Sequence, residues 1–434
     1  MPTRALGALA VLALLAGCGP DSKTPVKVMV LVYDNATKHY RPQTVELATP
    51  TDLVAMEGPV AKILGSAHLD QSEANLSSLP ADATLQQVRD AIIVKPGSAV
   101  SVSYIEEDGV LIPADFHSLN IATTYYNFER AYEFFHTRIG NLTVESFGTP
   151  SVYYFPTFIE KTEPEKDNAA FDPPIGSFLI LPFEKLQQVP LAINLGVIGH
   201  EYTHSVFNFR VFDQSPIPFP FYEWTSDLGL STPGFNLLKS LDEGIADTFG
   251  TGITCSASFE VCDATYFSES LPVEYGEERR LDADPPHCLS NTLKESLSGL
   301  SADTFTDAGY HYEIGSVLSG ALWTATRDEG AQEKLGGLAG ARRAMFQTLY
   351  RALAGSTGRN GLRELILAAR GDQTRFRLDS TAEVTGALDA IVQAAGEPAL
   401  KAALCGAFLG RFKYSTDAIK SCAGASPIAG CSGS

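Results

Sequence analysis

The chain has 434 residues, 44% of them hydrophobic and 19% charged, which allows a sizeable core and excludes wholesale disorder. Its formal net charge of −19 excludes a nucleic-acid partner, because binding phosphates needs clustered Lys and Arg. The length suggests two or three packed units, and the acidity reads as solubility.

Arg4 is followed by an apolar run, Ala5 to Ala16, of signal-peptide length and too short to cross a bilayer as a stable helix. Residues 1–17 are therefore expected to be a signal peptide and 18–25 a tether. Leu15-Ala16-Gly17-Cys18 resembles a bacterial lipobox, in which the Cys becomes the lipidated first residue. That resemblance implies a protein of the bacterial cell envelope, or a secreted one. It would be anchored to a membrane through Cys18, and Gly19 points to the outer membrane where the cell has one. Six further cysteines, at 255, 262, 288, 405, 422 and 431, are an even number that suits an oxidising compartment. Local bridges are expected, Cys422 to Cys431 first among them.

From Val26 to about Pro113 the texture is extended, with Val26 to Tyr33 and Ala99 to Tyr104 rich in β-formers. Tyr, Phe and Leu at three- and four-residue spacing predict a helix from His117 to Arg138. Strand-like runs follow at Ser151 to Phe155 and Ser177 to Phe183. Helices are then expected at 192–209, 241–253, 311–326, 340–354, 360–370, 381–395 and 397–412. Strands first and helices later predict an α+β chain of two lobes. The N-terminal lobe, 26–190, would be β-rich and the C-terminal lobe, 254–434, mainly helical, with the active-site helices and an insertion at 191–253 between them.

Residues 200–204 read His-Glu-Tyr-Thr-His. Positions i and i+4 share a helix face, so both imidazoles can reach one ion while Glu201 stands beside a metal-activated water. A catalytic zinc site needs a third protein ligand and one open position. Leu241-Asp242-Glu243-Gly244-Ile245-Ala246-Asp247 offers Glu243 as that ligand and Asp247, four residues on, as the partner of the free ring N–H of His200.

His-Glu-x-x-His followed by Glu-x-x-x-Asp resembles the thermolysin and fungalysin group of zinc endopeptidases, the gluzincins, and further likenesses extend over roughly residues 115–326. Asn168-Ala169 is similar to an Asn-Ala pair on an edge strand beside the substrate, Arg280 to Pro285 to an Arg-x-x-x-Asp-Pro segment, and Asp307 to Trp323 to the segment bearing a second active-site His. The resemblance implies one zinc ion on His200, His204 and Glu243, with Glu201 as general base and peptides or proteins as substrates. It implies that His311, oriented and kept charged by Asp307, stabilises the oxyanion, while Arg280 (with the adjacent Arg279 as the alternative), Asn168 and Ala169 align the peptide. A hydrophobic side chain after the cut bond is the implied preference.

The chain departs from the group in three places. Residues 205–242 are a long insertion holding Pro216, Pro218, Pro220 and several aromatics, either a rim of the cleft or a packed loop. The Tyr that assists the second His has no match at its usual distance, and Tyr222 is the substitute. Gly196 stands where a calcium-binding acid is found, so calcium is not carried over. The rival reading is a surface-anchored, zinc-containing binding or structural protein of the same fold without turnover. An aminopeptidase is disfavoured, since the chain lacks a Gly-x-Met-Glu-Asn-type segment to grip a free amine.

Overall fold

A computed structural model describes residues 25–35, 37–80, 83–184, 187–212, 232–264, 279–355, 361–363, 382–428 and 430–431. The expected signal peptide and Cys18, most of the tether, Tyr222 with the rest of 213–231, and most of the helix expected at 360–370 lie outside them. The described chain is mixed α and β, sheet-rich before residue 181 and helical after 194. None of its helices is long and apolar enough to cross a membrane.

Three sheets form the N-terminal region. In the first, the hairpin of Val26–Asp34 and His39–Leu47 is joined through a parallel pairing to Val110–Pro113, with Tyr104–Glu107 outermost. The second is six-stranded. Parallel strands Ala61–Gly65, Ser151–Tyr154 and Ser177–Ile180 form its middle, and Ala169–Asp172 lies antiparallel at one edge. A third, small sheet joins Thr157–Ile159, His68–Asp70 and Ile93–Lys95. Helix Phe116–Glu133 starts on Asp115, whose carboxylate accepts the Ser118 N–H, and buries Ile121, Tyr125 and Phe128 against Val28, Ile63, Val152 and Phe178. Each such large apolar side chain contributes about 1.5–3 kcal/mol by leaving water.

That helix also prepares the next one. Thr124 Oγ1 donates to the Ala192 carbonyl and Asn127 Nδ2 to the Ile193 carbonyl, both from buried positions. The predicted helix at 192–209 is therefore interrupted: residues 191–193 form a 3-10 turn, and Asn194 turns extended. Its side chain caps the N–H groups of Gly196 and Val197, and helix Leu195–Phe207 begins there.

Helix Thr232–Thr254 starts nine residues before the predicted 241, because the last part of the long insertion is itself helical. It packs against both Leu195–Phe207 and Tyr310–Thr326. Glycines set those approaches. A Cβ on Gly315 would lie 2.9 Å from the Gly244 nitrogen and 3.1 Å from Glu243 Cβ, and one on Gly250 would lie 3.2 Å from the His200 nitrogen. Tyr202, buried behind His200, stacks between Phe135 and Phe178 and ties the helix to the six-stranded sheet.

The disulfides are Cys255–Cys262, Cys288–Cys431 and Cys405–Cys422. The expected Cys422–Cys431 bridge does not form. A 3-10 turn at 420–422 brings Cys422 to helix Pro398–Phe412, while the Ile428 N–H bonds the Gly406 carbonyl and leads the tail across to Pro286 and Cys288.

Candidate metal centre

His200 and His204 sit one turn apart on helix Leu195–Phe207, and their rings meet edge to face with the two Nε2 atoms 3.0 Å apart. Glu243, from helix Thr232–Thr254, turns Oε2 to within 3.4 Å of His200 Nε2 and 3.9 Å of His204 Nε2. The three ligand atoms lie within 4.8 Å of one another, so this group could hold a metal ion. The far side of each ring is held. Asp247 Oδ1 lies 3.1 Å from His200 Nδ1, and Asp242 Oδ1 lies 2.9 Å from His204 Nδ1. A carboxylate at Nδ1 keeps the proton there and leaves the Nε2 lone pair turned to the centre.

The charges fit a cation. Burial pushes the Glu243 carboxyl up, but His204, His200 and Arg279 outweigh it and hold the group well below the usual carboxylate range. Burial opposes charge on His204 as well, and Asp242 with Glu243 overcomes it and carries that imidazole to about 10, so the acids favour positive charge here and an ion taken up on Nε2 replaces a proton. Two ring nitrogens and a carboxylate oxygen, each ring backed by an acid, suit zinc and other first-row divalent ions.

Glu201 is half-buried one residue after the first His, and burial pushes its carboxyl up. Its Oε2 accepts the Phe171 N–H at 2.8 Å. Phe171 belongs to the edge strand Ala169–Asp172, which pairs on one side with Ser177–Ile180. The Asn168 carbonyl accepts from Leu181, so in the antiparallel alternation residues 169 and 171 turn their backbone groups to the open edge. Residues 169–171 of the strand, the two His, Glu201, Asp242 and Glu243 line one cavity of about 260 Å³. Asn168 and Ala169 are both in its wall, but the Asn168 side-chain oxygen is taken by the Ala169 N–H at 2.9 Å.

Three expectations change. Arg280 turns onto Asp282, and it is Arg279 that reaches the centre, with Nη2 2.9 Å from Glu243 Oε2 and 2.7 Å from Asp247 Oδ1. Successive residues of the irregular chain point opposite ways, and the one beside the acids is retained by their charge. His311 is buried behind the cavity wall with Nδ1 lacking a hydrogen-bond partner, while Asp307 is exposed at the end of helix Ala302–Asp307 and does not orient it. Burial pushes His311 down to about 4, so the ring is neutral and not the expected imidazolium. Tyr312, not His311, lines the cavity, 40% exposed, with the Arg279 guanidinium 4.4 Å over its ring.

Asp242 and Tyr312 are the residues that sequence reasoning missed as parts of the site, whereas Arg279 was the alternative to Arg280. Each stands next to a residue that was singled out, and that adjacency was the available signal: on a helix, the residue beside a ligand lies only a third of a turn away. No family model matches the chain, and no curated protein matches it.

Proposed function

We propose that the protein is a zinc-dependent endopeptidase of the gluzincin kind, with the cleft between a β-rich and a helical lobe as its active site. The observation that carries this reading is the convergence of His200 Nε2, His204 Nε2 and Glu243 Oε2, with Asp247 and Asp242 behind the rings and Glu201 alongside. Zinc there would act as a Lewis acid, lowering the pKa of water and polarising a peptide carbonyl.

The chain's own groups divide the remaining work. Glu201, raised by burial, takes a proton from the attacking water and delivers it to the departing amine. On the open edge of Ala169–Asp172 the N–H groups of Ala169 and Phe171 are held by Asn168 and Glu201, so it is the carbonyls of these two residues that would receive the N–H groups of an extended peptide. Arg279 and the Tyr312 hydroxyl are the donors in the cavity wall for charge that develops on the carbonyl oxygen. The apolar cluster of Ala169, Leu191 and Val197 is a pocket for a hydrophobic side chain.

The test is to load the protein with zinc, verify one ion per chain, and incubate it with a mixed peptide library beside Glu201→Gln. Internal cuts by the parent alone support the peptidase. Zinc bound by both with no cuts by either supports the rival reading, a zinc-containing binding protein.

A further inference from the structure

Lys239 places an ammonium in the wall of this cleft, and nothing in the metal centre or in the proposed hydrolysis uses it. It lies on helix Thr232–Thr254 one turn before Glu243, so the two side chains share a face. It lines the cavity together with His204, Glu243, Arg279 and Tyr312. The side chain is half-buried, and its only hydrogen bond among the described residues goes to Thr306 Oγ1 at 3.4 Å. An ammonium has three donors, so two remain for a ligand.

The nearby acids do not satisfy it. Among the described residues no carboxylate lies within ion-pair distance of its Nζ, and Glu243 and Asp242 act on it only through space. Glu160 and Asp307 also bear on Lys239, but only through space. Desolvating an ammonium without a carboxylate beside it is unfavourable, and the deficit is removed when a bound anion completes the pair. The cleft thus has two unlike walls, the apolar cluster of Ala169, Leu191 and Val197 and the cationic one at Lys239.

We infer that the cleft selects substrates bearing a carboxylate, an acidic side chain near the cut bond or the chain terminus itself, with Lys239 as its counter-ion. This rests on the peptidase reading above. It differs from attraction by overall charge, since the chain carries −19 and repels acids at long range.

The test uses zinc-loaded Glu201→Gln protein as a binder without turnover. Its ligands are leucine-containing alanine hexapeptides, N-acetylated, in which one Asp or one Asn is walked through every position, each made with a free or an amidated C-terminus. The expected result is roughly tenfold tighter binding of Asp over Asn at one position, or of free acid over amide, weakening in 0.5 M salt. The two comparisons separate a side chain from a terminus as the source. In Lys239→Met the preference falls to about onefold, and in Lys239→Glu a Lys-containing peptide is preferred. Equal affinity of all four forms for the otherwise unaltered binder overturns the inference, and that comparison does not depend on how the variants fold. Digestion of the same peptides by the parent separates the two readings. Cutting without carboxylate preference overturns this inference and keeps the peptidase. Carboxylate-selective binding with no cutting does the reverse.

Discussion

Replacing Gly315 by Ala tests whether the metal ligands are set by the spacing of three helices. The new Cβ would sit 2.9 Å from the Gly244 nitrogen, 3.1 Å from Glu243 Cβ and 3.2 Å from the Ser240 carbonyl oxygen. The closest of these atoms belongs to the backbone of the neighbouring helix and cannot swing aside. Relief therefore means parting helices Thr232–Thr254 and Tyr310–Thr326 by about half an ångström, at an overpacking cost of about 1–3 kcal/mol. Glu243 rides on the helix that moves, and Oε2 is displaced relative to the two imidazoles. Metal–oxygen bonds tolerate shifts of only ~0.2 Å, so zinc affinity is expected to fall about tenfold or more. Urea unfolding of the metal-free protein reads the first effect, and competition with a chelating dye reads the second. Gly320→Ala on the same helix is the control, because its Cβ would meet nothing closer than 3.6 Å. There the ordinary helical preference for Ala raises stability by about 0.5–1 kcal/mol. Equal effects at 315 and 320, or a destabilised Gly315→Ala that binds zinc as tightly as the parent, would refute the reasoning.

Three further outcomes are expected. Asp242→Asn and Asp247→Asn each weaken zinc binding about 10–100-fold while leaving its stoichiometry at one ion, as measured by the same competition. Asp172, the buried last residue of the edge strand, is pushed up to about 7 by desolvation, against the opposing hydrogen bonds from Ile175 and Gln71. A buried acid with a raised pKa favours the folded state only while protonated, so it lowers stability progressively from about pH 4 and fully above about 7. Asp172→Asn should then stabilise the protein at pH 8 and change little at pH 4; a flat difference in urea midpoint between those pH values would contradict this. Finally, Cys288→Ser with Cys431→Ser opens a bridge spanning 143 residues, and chain-entropy arguments put its contribution at about 5 kcal/mol at most. Denaturation of oxidised parent and double variant measures it, and a loss near zero would mean that the hydrogen bond from Ile428 to Gly406 holds the tail unaided.

The group that could hold a metal was legible because helical periodicity is a short-range rule: residues 200 and 204, or 243 and 247, share a face whatever surrounds them. Their mutual approach was legible only as chemistry, from the need of buried acids for a cation. What could not be read was anything decided by which of two neighbours wins a position. Arg279 displaced Arg280, Tyr312 lies in the wall where His311 was expected, and Asp242 joined Glu243, each through contacts made by distant segments. The strand His39–Leu47 escaped for a different reason. It is mostly exposed, contains Pro42, and owes its extension to the nine-residue ladder it forms with Val26–Asp34, so no apolar alternation marks it. The cysteines show the same limit, since proximity in sequence gave way to a tail led back across a helix.

The bond from the Phe171 N–H to Glu201 has a consequence for how this chain can vary. Its donor is main chain, which every residue except proline supplies. Side chains along 169–171 can therefore be exchanged, reshaping the wall of the cavity, without severing the link that holds the carboxylate. Preference and machinery are in this respect written in separate parts of the same strand, and drift in one leaves the other in register.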